Sequence, residues 1–342
     1  MNTFLSTIGA LLVISVLVTV HELGHYLAGR ALGFTILEFA IGMGPVLYKT
    51  ERKGIVYALR AFPIGGMCRF YGEDEEVEHD GLGFNEQKPW KRAVTVAAGP
   101  VMNVLFAFMF AVVTLLAYGD FMPQITELNS QSAPAAVAGI LPGDILISVG
   151  GKTIRYYTDA IDLIGQADSQ ESEVVVERDG ERITLVVRDF YSPEAQRNML
   201  GVSIQAVRKS FGFFEAIGNS AAYVWALVRT MFSWFGSIFS QGLQEGDVMG
   251  PVGTIMIIGQ AVRAGFETVL RMAVLISINL GVVNILPLPA LDGGRLTFMA
   301  LEVVRGKPIS PRIEGAIHAV GLILLFGLIL FLTYKDILGL IT

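Results

Sequence analysis

The chain has 342 residues, 53% of them hydrophobic and only 16% charged, with a mean hydropathy of +0.57. Soluble domains carry about 25% charged residues, so the composition points to a membrane protein, and the length leaves room for two or three modules. A net charge of -6 without any Lys/Arg-rich run gives no basis for nucleic-acid binding, and the single cysteine, Cys68, excludes an intrachain disulfide or a thiolate zinc site.

Phe4 to Val20 is apolar or small throughout, and with the helix continuing past His25 it is long enough to span a bilayer. No basic residue precedes it and no small-residue cleavage site follows, so it reads as a span and not as a signal peptide. A β element is expected at about residues 55–75, where Val56 to Phe62 is strand-like and Pro63 to Met67 suggests a turn into another strand. Ala93 to Tyr118 is the second span, which closes an N-terminal membrane part over residues 1–119. Residues 120–207 change character: short alternating runs at 172–178 and 183–187 flank Asp179-Gly180, a strong hairpin signal, and predict a small β-rich domain. Residues 208–265 follow as an interfacial amphipathic region, because Glu215, Asn219 and Arg229 interrupt the aromatic stretch from Phe211 to Phe239. The C-terminal membrane part, 266–342, holds a third span from about Val269 to Leu286 and a fourth from about Ala319 to Tyr334. The expected fold is thus a four-span α-helical membrane protein with an inserted β domain.

Basic residues set the orientation. None lies before Arg30, nine fall between Arg30 and Arg92, and Arg295, Arg305, Lys307 and Arg312 lie between the last two spans. The positive-inside rule puts both of these loops in the cytosol and the N-terminus and β domain outside. If 211–239 crossed the bilayer, Asp292 would be delivered to the face opposite His21 and His25.

In His21-Glu22-Leu23-Gly24-His25 the two histidines are four residues apart, one above the other on a helix. That spacing lets two imidazoles bind one Zn²⁺, with Glu22 placed as general base for a water activated by the metal. A catalytic zinc needs a third protein ligand and an open position. Asp292 is the candidate, in a segment from Asn284 to Gly294 where Pro287 and Pro289 break the third span and glycines permit tight turns.

These features resemble the site-2 protease family of intramembrane zinc metalloproteases: HExxH in the first span, LDGG after the third and a soluble domain between. Ala98-Gly99-Pro100-Val101-Met102-Asn103, Gly250-Pro251-Val252-Gly253 and the run from Asn279 to Gly294 are similar to the bacterial RseP type. The resemblance implies His21, His25 and Asp292 as metal ligands and Glu22 as the catalytic base. It implies Asn103 and Asn284 as substrate-positioning groups, with interhelical hydrogen bonding as their alternative. It also implies a membrane-associated β element at Gly65 and Gly66 near the cleft, where an exposed edge would hold an extended substrate, with a structural hairpin as the alternative. Residues 138–151 look like a PDZ domain, with a helix near Thr158 to Gln166, in a single-PDZ form that either binds peptide or acts as a size gate.

The implied function is cleavage of transmembrane segments of single-span membrane proteins in the bacterial inner membrane. The setting is regulated intramembrane proteolysis, such as anti-sigma factor processing, or signal-peptide clearance. The alternative is a non-catalytic PDZ membrane scaffold with a structural metal site, against which the intact Glu22 argues.

Overall fold

The computed structural model describes residues 3–73, 82–155, 157–193, 195–242 and 248–341. The elements are α1 (Thr3–Ala31), β1 (Ile36–Arg52), β2 (Ile55–Phe70), α2 (Pro89–Tyr118), β3 (Asp120–Leu128), α3 (Pro134–Val137), β4 (Ile145–Val149), β5 (Lys152–Thr153), α4 (Asp159–Gln166), β6 (Glu171–Arg178), β7 (Glu181–Arg188), β8 (Tyr191–Ser192), β9 (Arg197–Asn198), β10 (Val202–Lys209), α5 (Phe213–Gln241), α6 (Pro251–Ala264), α7 (Phe266–Ile285), α8 (Asp292–Arg305) and α9 (Pro311–Ile341). They form two compact units, one of Met1–Ala111 with Val224–Thr342, the other Val112–Tyr223.

In the first unit lie helices long and apolar enough to cross a membrane: Phe4–Ala31, most of Pro89–Tyr118, Phe266–Ile285 and Arg312–Leu340. Helix α5, over the expected interfacial stretch, is not among them. The expected region 208–265 divides into α5 and α6 on either side of residues 243–247, which lie outside the described residues. Helix α6 packs against α1: Gly259 lies against Ser6, and Arg263 donates to the Ser6 hydroxyl at 2.9 Å. Small residues also bring other helices together. A Cβ on Gly24 of α1 would run into the Ala98 carbonyl of α2, and one on Gly281 of α7 would stand 2.9 Å from the Pro100 carbonyl.

The β element of this unit is larger than the sequence suggested. It begins at Ile36, and its turn falls at Lys53-Gly54, where both residues take positive φ (53° and 75°). The stretch from Pro63 to Met67, expected as a turn, lies inside β2, although the register slips there and Gly65 has φ +85°. The reason is that glycine can bend a strand without ending it. Residues 74 and 75 of the expected element lie outside the described residues. Residues Phe39, Ala40 and Ile41 pair with Cys68, Met67 and Gly66 on one side and with Tyr57, Ala58 and Leu59 on the other. The 66–70 segment therefore has a strand on one edge and none on its other edge among the described residues. Beneath it, Tyr26, Phe34, Phe70, Phe84, Val96 and Met299 form a buried aromatic-rich core.

The second unit is built on a sheet of order β10-β3-β4-β6-β7, with β5 beside β4. Ile125, Leu146, Val174, Val176 and Val187 fill its core, as the alternation along β6 and β7 dictates. Asp179 (φ 54°) and Gly180 (φ 84°) make the tight turn between β6 and β7, the left-handed pair that a two-residue hairpin requires. Asp144 is buried and accepts two 2.7 Å bonds from the Arg178 guanidinium.

Candidate metal centre

Helix α1 is regular through 21–25, so His21 and His25 project from one face, with ring centroids 4.8 Å apart and planes near perpendicular. Their Nε2 atoms are 3.2 Å apart, and Asp292 Oδ2 lies 3.1 Å from His21 Nε2 and 3.4 Å from His25 Nε2. One ligand atom from each of the three residues lies within 4.8 Å of the others. Two protonated imidazoles at this separation would repel each other. Asp292 Oδ2, moreover, is buried with no well-directed donor. Three converging lone pairs without a donor are costly to bury unless a cation sits among them. Two nitrogens, one carboxylate oxygen and a further open position are also the donor set of a catalytic zinc. The residues fit the ion.

The surroundings hold each ligand. His25 Nδ1 donates to the Thr95 carbonyl at 2.9 Å, which leaves the Nε2 lone pair facing the cluster. Asn103, expected to position substrate or to hydrogen-bond between helices, is fully buried, with its amide 3.1 Å from His21 Nδ1 on α1. With the amide nitrogen toward the ring, Asn103 Oδ1 is left buried without a partner. Turned over, the amide accepts from Nδ1–H and frees His21 Nε2 as a ligand. A Cβ on Gly99 would stand 2.9 Å from His21 Cε1 and would also strike His25, so α2 closes on both rings only because this residue is glycine. Burial alone would raise the Asp292 carboxyl, but the adjacent His21 and His25 outweigh that and hold it below the usual carboxylate range, the form in which a carboxylate serves as a ligand.

Glu22 lies beside the trio. The Cys68 backbone amide hydrogen-bonds its carboxylate, and a Cβ on Gly66 would meet Glu22 Cγ at 2.7 Å. Glu22, Gly66, Cys68, Glu73, Asp292 and Arg295 are among the residues around a cavity of about 220 Å³. Burial pushes the Cys68 thiol well up, so it lines the cavity as a neutral group. Arg295, one turn beyond Asp292, is ion-paired with Glu73. Gly65 packs against Met43, and Asn284 is half-buried in the last turn of α7; neither lines the cavity. Sequence reasoning missed Thr95, Gly99, Glu73 and Arg295 as site residues. Gly99 carried a signal, since it stands in the Ala98-Gly99-Pro100 run, whereas a backbone carbonyl such as that of Thr95 leaves no trace in a sequence.

Residues 9–328 match peptidase family M50. Zinc metalloprotease RasP of Shouchella clausii is 30% identical, with 98% of this chain and 99% of that protein covered. Atu1380 of Agrobacterium fabrum (31% identical, 100% of both chains) and R01501 of Rhizobium meliloti (32%, 96% and 95%) carry provisional names as zinc metalloproteases.

Proposed function

The chain belongs to peptidase family M50 and is a zinc metalloendopeptidase, and from that premise we propose that it cleaves transmembrane segments of single-span membrane proteins. His21, His25 and Asp292 hold the zinc and Glu22 is the general base. The observation that carries this reading is the convergence of the three ligand atoms, on α1 and at the start of α8, with a carboxylate directly beside them.

The chemistry a zinc ion supplies when bound is Lewis acidity toward water and toward a scissile carbonyl. The protein's own residues do the rest. Glu22, its carboxylate oriented by the Cys68 amide, takes the proton of the attacking water and delivers it to the leaving amine nitrogen. Asn103 and Thr95 fix the imidazoles so that both present a lone pair. A peptide bond within a helix is shielded, so the substrate must unwind first. The edge of residues 66–70, which has no strand partner among the described residues and whose Gly66 touches Glu22, offers its remaining backbone groups to that extended chain.

The second unit is read as a PDZ-like domain of residues 120–207, flanked by membrane parts at 1–119 and 266–342 and the interfacial region at 208–265. The distribution of Lys and Arg supports an N-terminus and PDZ-like domain outside the bacterial inner membrane, with the metal centre near the cytosolic face. Gly65 and Asn284 are proposed to act on the substrate, together with Gly66. The biological setting is regulated intramembrane proteolysis or clearance of signal peptides.

The test compares purified wild type with Glu22→Gln. The variant is expected to keep its zinc and to lose cleavage of a model transmembrane substrate by about 10²–10⁴-fold. Equal cleavage by both proteins would remove Glu22 from the mechanism.

A further inference from the structure

We propose that His318 is a positioning residue for Asp292, acting through the backbone of Ala290. The inference rests on the reading of His21, His25 and Asp292 as zinc ligands.

The chain between α7 and α8 is irregular. Pro287 and Pro289 have no backbone donor, and Ala290, two residues before Asp292, has φ +72°, a left-handed conformation that costs a residue with a Cβ. Strain of this kind persists only where the surroundings enforce it. Other hydrogen bonds of the loop are local: the Leu288 amide donates to Leu286, and the Leu291 amide to Leu288. The Ala290 amide points out of the loop and donates to His318 Nδ1 of α9 at 2.9 Å.

That bond also fixes the imidazole. Because Nδ1 accepts, the ring proton of the neutral form sits on Nε2, which is buried without a hydrogen-bond partner and stands 4.0 Å from the Glu314 carboxylate. Phe298 of α8 meets the ring edge-on, with centroids 5.4 Å apart. One turn along α9, a Cβ on Gly321 would stand 3.0 Å from the Pro289 carbonyl oxygen and would overlap the proline ring, so the helix presses on the loop as closely as a backbone can. Leu288, Pro289 and Leu291 border an open apolar cavity of about 490 Å³ shared with α9. The imidazole is thus the polar anchor that keeps Ala290 left-handed, and that backbone direction sets where α8 begins and where the Asp292 carboxylate arrives.

The test uses the full-length chain in detergent, with zinc affinity read by chelator competition and cleavage of a model transmembrane substrate read as kcat and KM. His318→Leu removes the acceptor and is expected to weaken zinc binding about tenfold, with kcat falling and KM little changed. His318→Asn places an amide oxygen near the Nδ1 position and is expected to restore most of both. Adding Ala290→Gly to His318→Leu is expected to restore part, because glycine takes the left-handed backbone without strain. A merely structural role would lower the melting temperature without distinguishing Asn from Leu. Wild-type zinc affinity in His318→Leu overturns the proposal. If the leucine variant does not fold, His318→Asn decides, and a tenfold loss of zinc affinity there overturns it too. A wild type whose zinc binding is unchanged by His25→Ala would instead overturn the ligand assignment itself, a result distinct from failure of the His318 anchor.

Discussion

His21, Glu22 and His25 stand on an unbroken helix, whereas Asp292 arrives from a loop with two prolines and a left-handed alanine. In the first region the 3.6-residue repeat brings the two imidazoles to one face, and Thr95 and Asn103 of α2 only fix their ring orientation. In the second, no local rule sets the position of the carboxylate; contacts from α9 do. Half of the centre is secured by secondary structure and half by tertiary structure. The two halves should therefore fail differently.

The largest expected effect is on the helical side. His25→Ala removes one of the three proposed ligands, and metal analysis of the purified protein should find zinc lost and cleavage at background. Asp292→Ala should leave the paired imidazoles aligned and retain weak zinc binding, so equal affinities in the two variants would erase the distinction. Gly99→Ala comes next. Its methyl group intrudes on both rings and should cost about 1–3 kcal/mol of stability through overpacking, read as a lower melting temperature together with weaker zinc binding. Asn103→Ala should weaken zinc about tenfold by releasing His21, with the change seen in chelator competition before it is seen in stability. The smallest effect belongs to Ala290→Gly alone. With His318 in place the conformation is already held, so a change within about 1 kcal/mol is expected, and a large loss would show that the loop depends on more than this one bond.

The same contrast explains what the sequence disclosed. The HExxH helix was legible because its chemistry repeats at the period of the backbone, and the four apolar helices because hydropathy reports lipid exposure directly. The β6–β7 turn was legible because Asp-Gly is the dipeptide that tolerates paired positive φ. Asp292 could be nominated from the break in helix pattern around it. Its hold by His318 could not, since nothing in the spacing links residues 290 and 318. The β element extends beyond the expected 55–75 because Ile36–Arg52 also belongs to it, with Gly42 (φ 83°) and Gly44 (φ 85°) serving as bends in a continuous strand. Asn103 was expected to help position substrate or to hydrogen-bond between helices, and it is fully buried against His21; a motif marks a residue as needed without stating which neighbour needs it.

The open edge of residues 66–70 has one more implication. A strand laid along it would advance by about 3.3 Å per residue, with side chains facing alternate sides. Recognition through main-chain bonds is indifferent to side-chain identity, so such an edge works as a ruler and not as a reader. It would set which peptide bond stops opposite Glu22 by counting residues from the point where the chain is gripped, and any preference it imposed would recur at every second position. Inserting one residue into a substrate ahead of the cut site should then move the cut by one residue and exchange the two faces.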